Sequence, residues 1–127
     1  MNSGIQPLQN INILRKVKAV EMLDVDGTTV ITGDGAAFAK AAVVKGLASL
    51  EAVVSAATRG QPGLFAAGTT FPTTADLCIV PQIYTAKRFA IDLSPYPAVV
   101  AVTDLCNSLP AFDAATPERQ PDFVPAK

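Results

Sequence analysis

One stretch constrains this chain more than any other: Thr73 to Phe89, reading Thr-Thr-Ala-Asp-Leu-Cys-Ile-Val-Pro-Gln-Ile-Tyr-Thr-Ala-Lys-Arg-Phe. It opens on a helix start signal. The Thr73 hydroxyl is placed to cap the first turn, and Asp76, three residues on, to reach back to the Thr73 amide while its charge meets the positive end of the helix dipole. After this cap, Leu77, Cys78, Ile79, Val80, Ile83 and Tyr84 are apolar nearly all round, the composition of a helix buried through the middle of a domain. Pro81 removes one backbone donor, which predicts a kink between Cys78 and Gln82. Lys87 and Arg88 then close the helix with a cationic turn that the dipole favours.

A central buried helix needs neighbours, and the composition supplies them. Of 127 residues, 50% are hydrophobic but only 6% aromatic and 17% charged, so the interior is filled by Ala, Val, Leu and Ile, as in close-packed helices of a single domain. The net charge of -1 comes from basic residues scattered along the chain, and it nominates neither nucleic acid nor an anionic membrane as a partner. Cys78 and Cys106 fall in predicted helices, His is absent, and no metal-ligand spacing occurs. Each cysteine therefore reads as a buried free thiol. With no secretory signal or long apolar run, the chain reads as soluble and intracellular.

Taken in order, Ile5 to Val20 form a predicted helix with Ile5, Leu8, Ile11, Leu14, Val17 and Val20 at spacing three. Gln6, Gln9, Asn10 and Asn12 are uncharged polar groups within it, able to donate and accept towards a polar ligand or simply to meet solvent. Asp24-Val25-Asp26-Gly27-Thr28 matches the aspartate motif of haloacid dehalogenase-type phosphatases. The residues before it do not form an apolar strand, and no downstream acidic pair sits in a βα context, so the phosphatase reading fails. An EF-hand fails too, because the twelfth position counted from Asp24 is Gly35 and not Glu. The β-branched run Thr28 to Thr32 between glycine turns reads instead as a ribbon or loop inserted around residues 18–36. A long helix from Ala37 to Thr58 follows, with a stripe of Val43, Leu47, Leu50, Val54 and Ala57, and a last full helix runs from Ala98 to Leu109 with Val99, Val102, Cys106 and Leu109 on one face. Pro110 ends that helix or begins a short final turn, and a proline-rich tail packs across the domain.

Thr-x-Ala-Asp-Leu-Cys with Val-Pro-Gln and Ala-Lys-Arg-Phe resembles the helical domain of glutathione transferases. Ser3-Gly4-Ile5-Gln6-Pro7-Leu8-Gln9-Asn10, Asp92-Leu93-Ser94-Pro95-Tyr96-Pro97 and Arg119-Gln120-Pro121-Asp122 narrow the resemblance to the zeta class, whose best known activity is maleylacetoacetate isomerisation in phenylalanine and tyrosine breakdown. The resemblance implies an all-α fold, a glutathione transferase C-terminal-like bundle of four to five helices over 1–127, with the insertion as an elaboration. It also implies a cytoplasmic homodimer in which a thioredoxin-like domain precedes this one. The Ser-Ser-Cys motif by which that domain activates the glutathione thiol does not occur here, so no catalytic residue is assigned to this chain.

Carried over position by position, the resemblance makes Gln6, and less directly Asn10, Ile11 and Asn12, glutathione-binding residues, and Thr73 and Asp76 a structural helix cap. Arg88 becomes the anchor for a carboxylate of a small dicarboxylate substrate, a role suited to the two parallel donors of a guanidinium. The implied function is the substrate side and part of the dimer surface of a glutathione-dependent cis-trans isomerase, with no turnover by this chain alone. A different class of reading, a stand-alone helical module for protein association, would call for a basic surface or an appended tail, and neither is present.

Overall fold

The computed structural model describes Leu8 and residues 10–17, 21–23, 30–32 and 34–124, with the side chains of Ile11, Val17 and the residues of 21–23 and 30–32 left aside. Among these residues the chain forms five α-helices: α1 Ile11–Val17, α2 Gly35–Thr58, α3 Thr74–Arg88, α4 Pro97–Asn107 and α5 Pro110–Ala114. A 3-10 turn, Pro117–Arg119, follows. Between α1 and α2 the insertion is a ribbon, β1 Glu21–Leu23 paired antiparallel with β2 Val30–Thr32, Met22 opposite Ile31. The expected helical bundle with a ribbon at 18–36 is thus the observed fold. The aspartates of the discarded phosphatase motif, Asp24 and Asp26, lie outside the described residues, as does the start of the first predicted helix up to Pro7.

Helix α2 begins two residues before its predicted start. Asp34 stands in extended backbone and its Oδ1 accepts from the amides of Ala36 at 2.9 Å and Ala37 at 3.1 Å, so the last polar residue of the ribbon is the cap of the helix. Gly35 follows because a Cβ there would meet the Leu14 carbonyl oxygen at 2.6 Å, where α1 crosses α2. The buried stripe holds Val43, Leu47 and Val54 as predicted, but Leu50 is half-buried and Ala57 exposed, and Phe38, Ala39 and Ala42 extend the stripe towards the N-terminus.

Helix α4 packs against both α2 and α3, and α5 packs on α4. Its inner face, Val99, Val102 and Cys106, joins Val43, Leu47, Val54, Ile79 and Ile83 in one core, each branched side chain worth about 1.5–3 kcal/mol when fully buried. The start of α4 is fixed from another element: Glu51 of α2 accepts from the Ala98 amide at 2.9 Å and the Val99 amide at 3.0 Å, a carboxylate set at the positive end of a helix that begins with Pro97. Ser108 caps the end of α4, so the helix predicted to reach Leu109 stops at Asn107, and Pro110 begins the short helix α5, with Leu109 at its cap position.

Helix α3 continues without a break through Pro81. It is not buried all round. Asp76, Ile79, Gln82, Ile83 and Ala86 face the core, whereas Leu77 is 61% exposed and Phe71, just before the cap, is 63% exposed. On the outer face of α3, Leu77 and Pro81 are exposed and Val80 and Tyr84 half-buried.

Candidate functional site

The N-terminal end of α3 is a structural node. Asp76 is fully buried, and its Oδ2 accepts from the Thr73 amide at 2.7 Å and the Thr73 hydroxyl at 2.8 Å, while its Oδ1 accepts from the Ala66 amide at 2.8 Å. A single carboxylate therefore closes the capping box and ties the loop before α3 to the helix. Cys106 lies against it. Burial, then the charge of Asp76 and a hydrogen bond to it, push the Cys106 thiol up to about 11, which keeps it protonated and unreactive near neutrality. Both cysteines are free, and Cys78 is half-buried, not buried as predicted.

The other end of α3 closes with a Schellman motif. The Ile91 amide donates to the Ala86 carbonyl at 3.1 Å and the Ala90 amide to the Lys87 carbonyl at 3.0 Å, with Ala90 in the left-handed region at φ 50°. The motif holds the last turn in place, and with it Arg88, whose side chain is exposed. One turn earlier, Tyr84 is half-buried and its hydroxyl donates to Glu118 Oε1 at 3.0 Å. That hydrogen bond, then desolvation and the charge of Glu118, raise the Tyr84 pKa, and the nearby Arg88 opposes them.

Tyr84 also lines a cleft of about 430 Å³ between the outer face of α3 and the α4–α5 region. Leu77, Val80, Pro81 and Phe112 make its walls apolar, and Tyr84, Lys87, Asn107 and Thr116 supply polar groups. An apolar cleft with a few convergent polar groups is the usual form of a small-ligand site. Tyr84, Glu118 and the cleft were not singled out from sequence. The i to i+4 spacing of Tyr84 and Arg88 on a helix is the signal that would have found the first of them.

Gln6 lies outside the described residues. Asn10 is exposed, and its Oδ1 accepts from the Asn12 amide at 2.9 Å, so it serves as the cap of α1. Asn12 is exposed, and Ile11 begins the helix. Helix α1 packs on α2, and among the described residues no hydrogen bond joins Asn10 or Asn12 to Arg88. Among the described residues no group of His, Cys, Asp and Glu is arranged to hold a metal ion, and no helix is long and apolar enough to cross a membrane.

No protein-family model matches the chain. Individual proteins do. A probable maleylacetoacetate isomerase of Caenorhabditis elegans is 42% identical over 120 residues, covering 94% of this chain and 49% of that protein. The crystal structure of maleylacetoacetate isomerase from Anaeromyxobacter dehalogenans superposes with a TM-score of 0.77 at 40% identity, over 98% of this chain and 51% of its own. That enzyme has also been seen with glutathione, and with dicarboxyethyl glutathione and citrate, in its active site. A bacterial maleylpyruvate isomerase described as a zeta-class glutathione transferase superposes equally well, TM-score 0.77, at 29% identity over 97% of this chain and 53% of its own. The chain spans about half the length of these relatives. Over nearly all of its own length, this chain is a relative of the maleylacetoacetate isomerases and zeta-class glutathione transferases.

Proposed function

We propose that this chain is the C-terminal, substrate-side domain of a glutathione-dependent maleylacetoacetate cis-trans isomerase that serves phenylalanine and tyrosine catabolism as a cytoplasmic homodimer. The observation that carries the reading is the likeness of the whole helical bundle, at 40% identity, to a maleylacetoacetate isomerase that binds glutathione and citrate in its active site. In this reading a preceding thioredoxin-like domain ionises the glutathione thiol. The thiolate adds to the conjugated double bond of the substrate, the resulting single bond rotates, and elimination of the thiolate restores the double bond in the trans geometry.

The part of this chain is binding and orientation. Arg88 stands exposed on a helix end fixed by the Schellman motif, and it grips one carboxylate of the dicarboxylate through two parallel hydrogen bonds while the carbon chain turns. Gln6 and the start of α1, Asn10 to Asn12, contribute to the glutathione side, with Asn10 held by its cap hydrogen bond. Thr73 and Asp76 take no part in chemistry and hold α3 in register with its loop. The bundle by itself turns over no substrate.

The test is a maleylacetoacetate isomerisation assay with and without glutathione, on the protein that carries this chain and on residues 1–127 alone. Glutathione-dependent turnover by the former and none by the latter is the expected result. Turnover without glutathione, or full activity in the isolated bundle, would refute the reading. Replacing Arg88 by Ala is expected to raise KM for the dicarboxylate about tenfold to a hundredfold, the worth of a charged hydrogen-bonded pair.

A further inference from the structure

We propose that the Tyr84 hydroxyl is a second carboxylate-binding donor beside Arg88, and that Glu118 occupies this donor until a ligand carboxylate displaces it. The inference deepens the reading of Arg88 given above and rests on it. Tyr84 and Arg88 are four residues apart on α3, so their side chains leave the same face one turn apart. Tyr84 lines the apolar cleft, whose wall suits a carbon chain, and Arg88, whose guanidinium suits a carboxylate, follows one turn on along the same helix face.

What the hydroxyl holds is itself a carboxylate. Glu118 Oε1 accepts from it at 3.0 Å, although the two residues are 34 apart in sequence and Glu118 is exposed. The contact places an anionic oxygen within hydrogen-bonding reach of Tyr84, one helical turn from Arg88, the position that the carboxylate of a small aliphatic diacid would take. The influence of Arg88 on the ionisation of Tyr84 agrees with that proximity.

The turn that carries Glu118 does not depend on this bond. Arg119 pairs with Asp113 at 2.9 Å, and the Gln120 Nε2 donates to the carbonyls of Ala114 at 3.1 Å and Thr116 at 3.0 Å. Glu118 can therefore swing off Tyr84 while its backbone stays in place. An exposed hydrogen bond of this kind is weak enough for a ligand to exchange with, and it adds a built-in competitor that sets how tightly a diacid must bind.

Calorimetric titration of the intact protein that carries this chain, with succinate as the probe, tests the exchange. Glu118→Ala is expected to tighten succinate about threefold to tenfold, and Tyr84→Phe, which keeps the ring in the cleft wall, to weaken it by a similar factor. In the Tyr84→Phe background, Glu118→Ala is expected to change nothing. Equal tightening in both backgrounds would mean that Glu118 only repels anions at a distance, and would overturn the proposal, as would an unchanged affinity in Glu118→Ala. Arg88→Ala separates the two levels of the argument. If it abolishes succinate binding while Glu118→Ala has no effect, this inference fails and the reading of Arg88 stands; if it leaves binding unchanged, both fail.

Discussion

Asp76 is fully buried, and what it gains for leaving water is three hydrogen bonds accepted from the Ala66 amide, the Thr73 amide and the Thr73 hydroxyl, with the Cys106 thiol beside it. Glutamate, the commoner partner in a capping box, would reach the Thr73 amide as well, but its extra methylene would compete for space with Cys106 and the Ala66 amide. Exchanging Asp76 for Asn keeps the shape and removes the charge that three donors face, and one of the two sites must then present an amide N–H to a donor. Loss of about 2–4 kcal/mol in urea-induced unfolding is expected. A loss below about 0.5 kcal/mol would show that the node is dispensable. The neighbouring thiol gives a pH signature. The Cys106 pKa is raised in the folded state to about 11, so folded and unfolded chains bind the same proton below the ordinary thiol value, and between about pH 9 and pH 11 only the unfolded chain releases it. Stability is thus lost as pH rises through that window, by about 2–3 kcal/mol. The slope of stability against pH in this range is expected to flatten in Cys106→Ala. An identical slope in the two proteins would rule out Cys106 as its source.

At the scale of elements, the helix ends show what local sequence carries and what it does not. Helix α3 was legible because its cap, its apolar run and its cationic end lie within one continuous stretch, and each is a short-range effect. The start of α2 was missed because Asp34 lies between Gly33 and Gly35, a composition that reads as a turn, while the choice between loop and cap depends on the close approach of Leu14 to Gly35. The cap of α4 was not legible at all. Glu51 is in the middle of a long helix, and only the tertiary fold brings it to amides 47 and 48 residues further on. Because it satisfies two amides that Pro97 leaves at the open end of α4, Glu51→Ala is expected to destabilise the bundle by about 1–2 kcal/mol. Amide hydrogen exchange would then rise first in the opening turn of α4. Unchanged protection at Ala98 and Val99 would refute the assignment of Glu51 as that cap.

At the scale of the whole molecule, the error about α3 is the informative one. Its sequence is apolar nearly all round, which is what burial on every side would demand, yet among the described residues its buried face is Asp76, Ile79, Gln82, Ile83 and Ala86. Leu77 at 61% exposure opens into the apolar cleft, and Val53 at 66% and Phe71 at 63% leave further apolar surface in water. Under the proposed function this apolar face meets a further domain, and the relatives, about twice the length of this chain, have a second half of the size needed to cover it. The physical consequence is a cohesive surface on the isolated bundle, since each exposed branched or aromatic side chain gains about 1–2 kcal/mol by finding an apolar partner. Residues 1–127 alone are expected to self-associate at tens of micromolar, with weight-average mass rising with concentration in sedimentation velocity. Because the driving force is apolar, added salt should strengthen the association where it would weaken an ionic one. Leu77→Ser is expected to reduce it by taking an exposed apolar side chain out of the cleft wall. A clean monomer of 13.2 kDa across that range would mean that the outer face of α3 is stable in water as it stands.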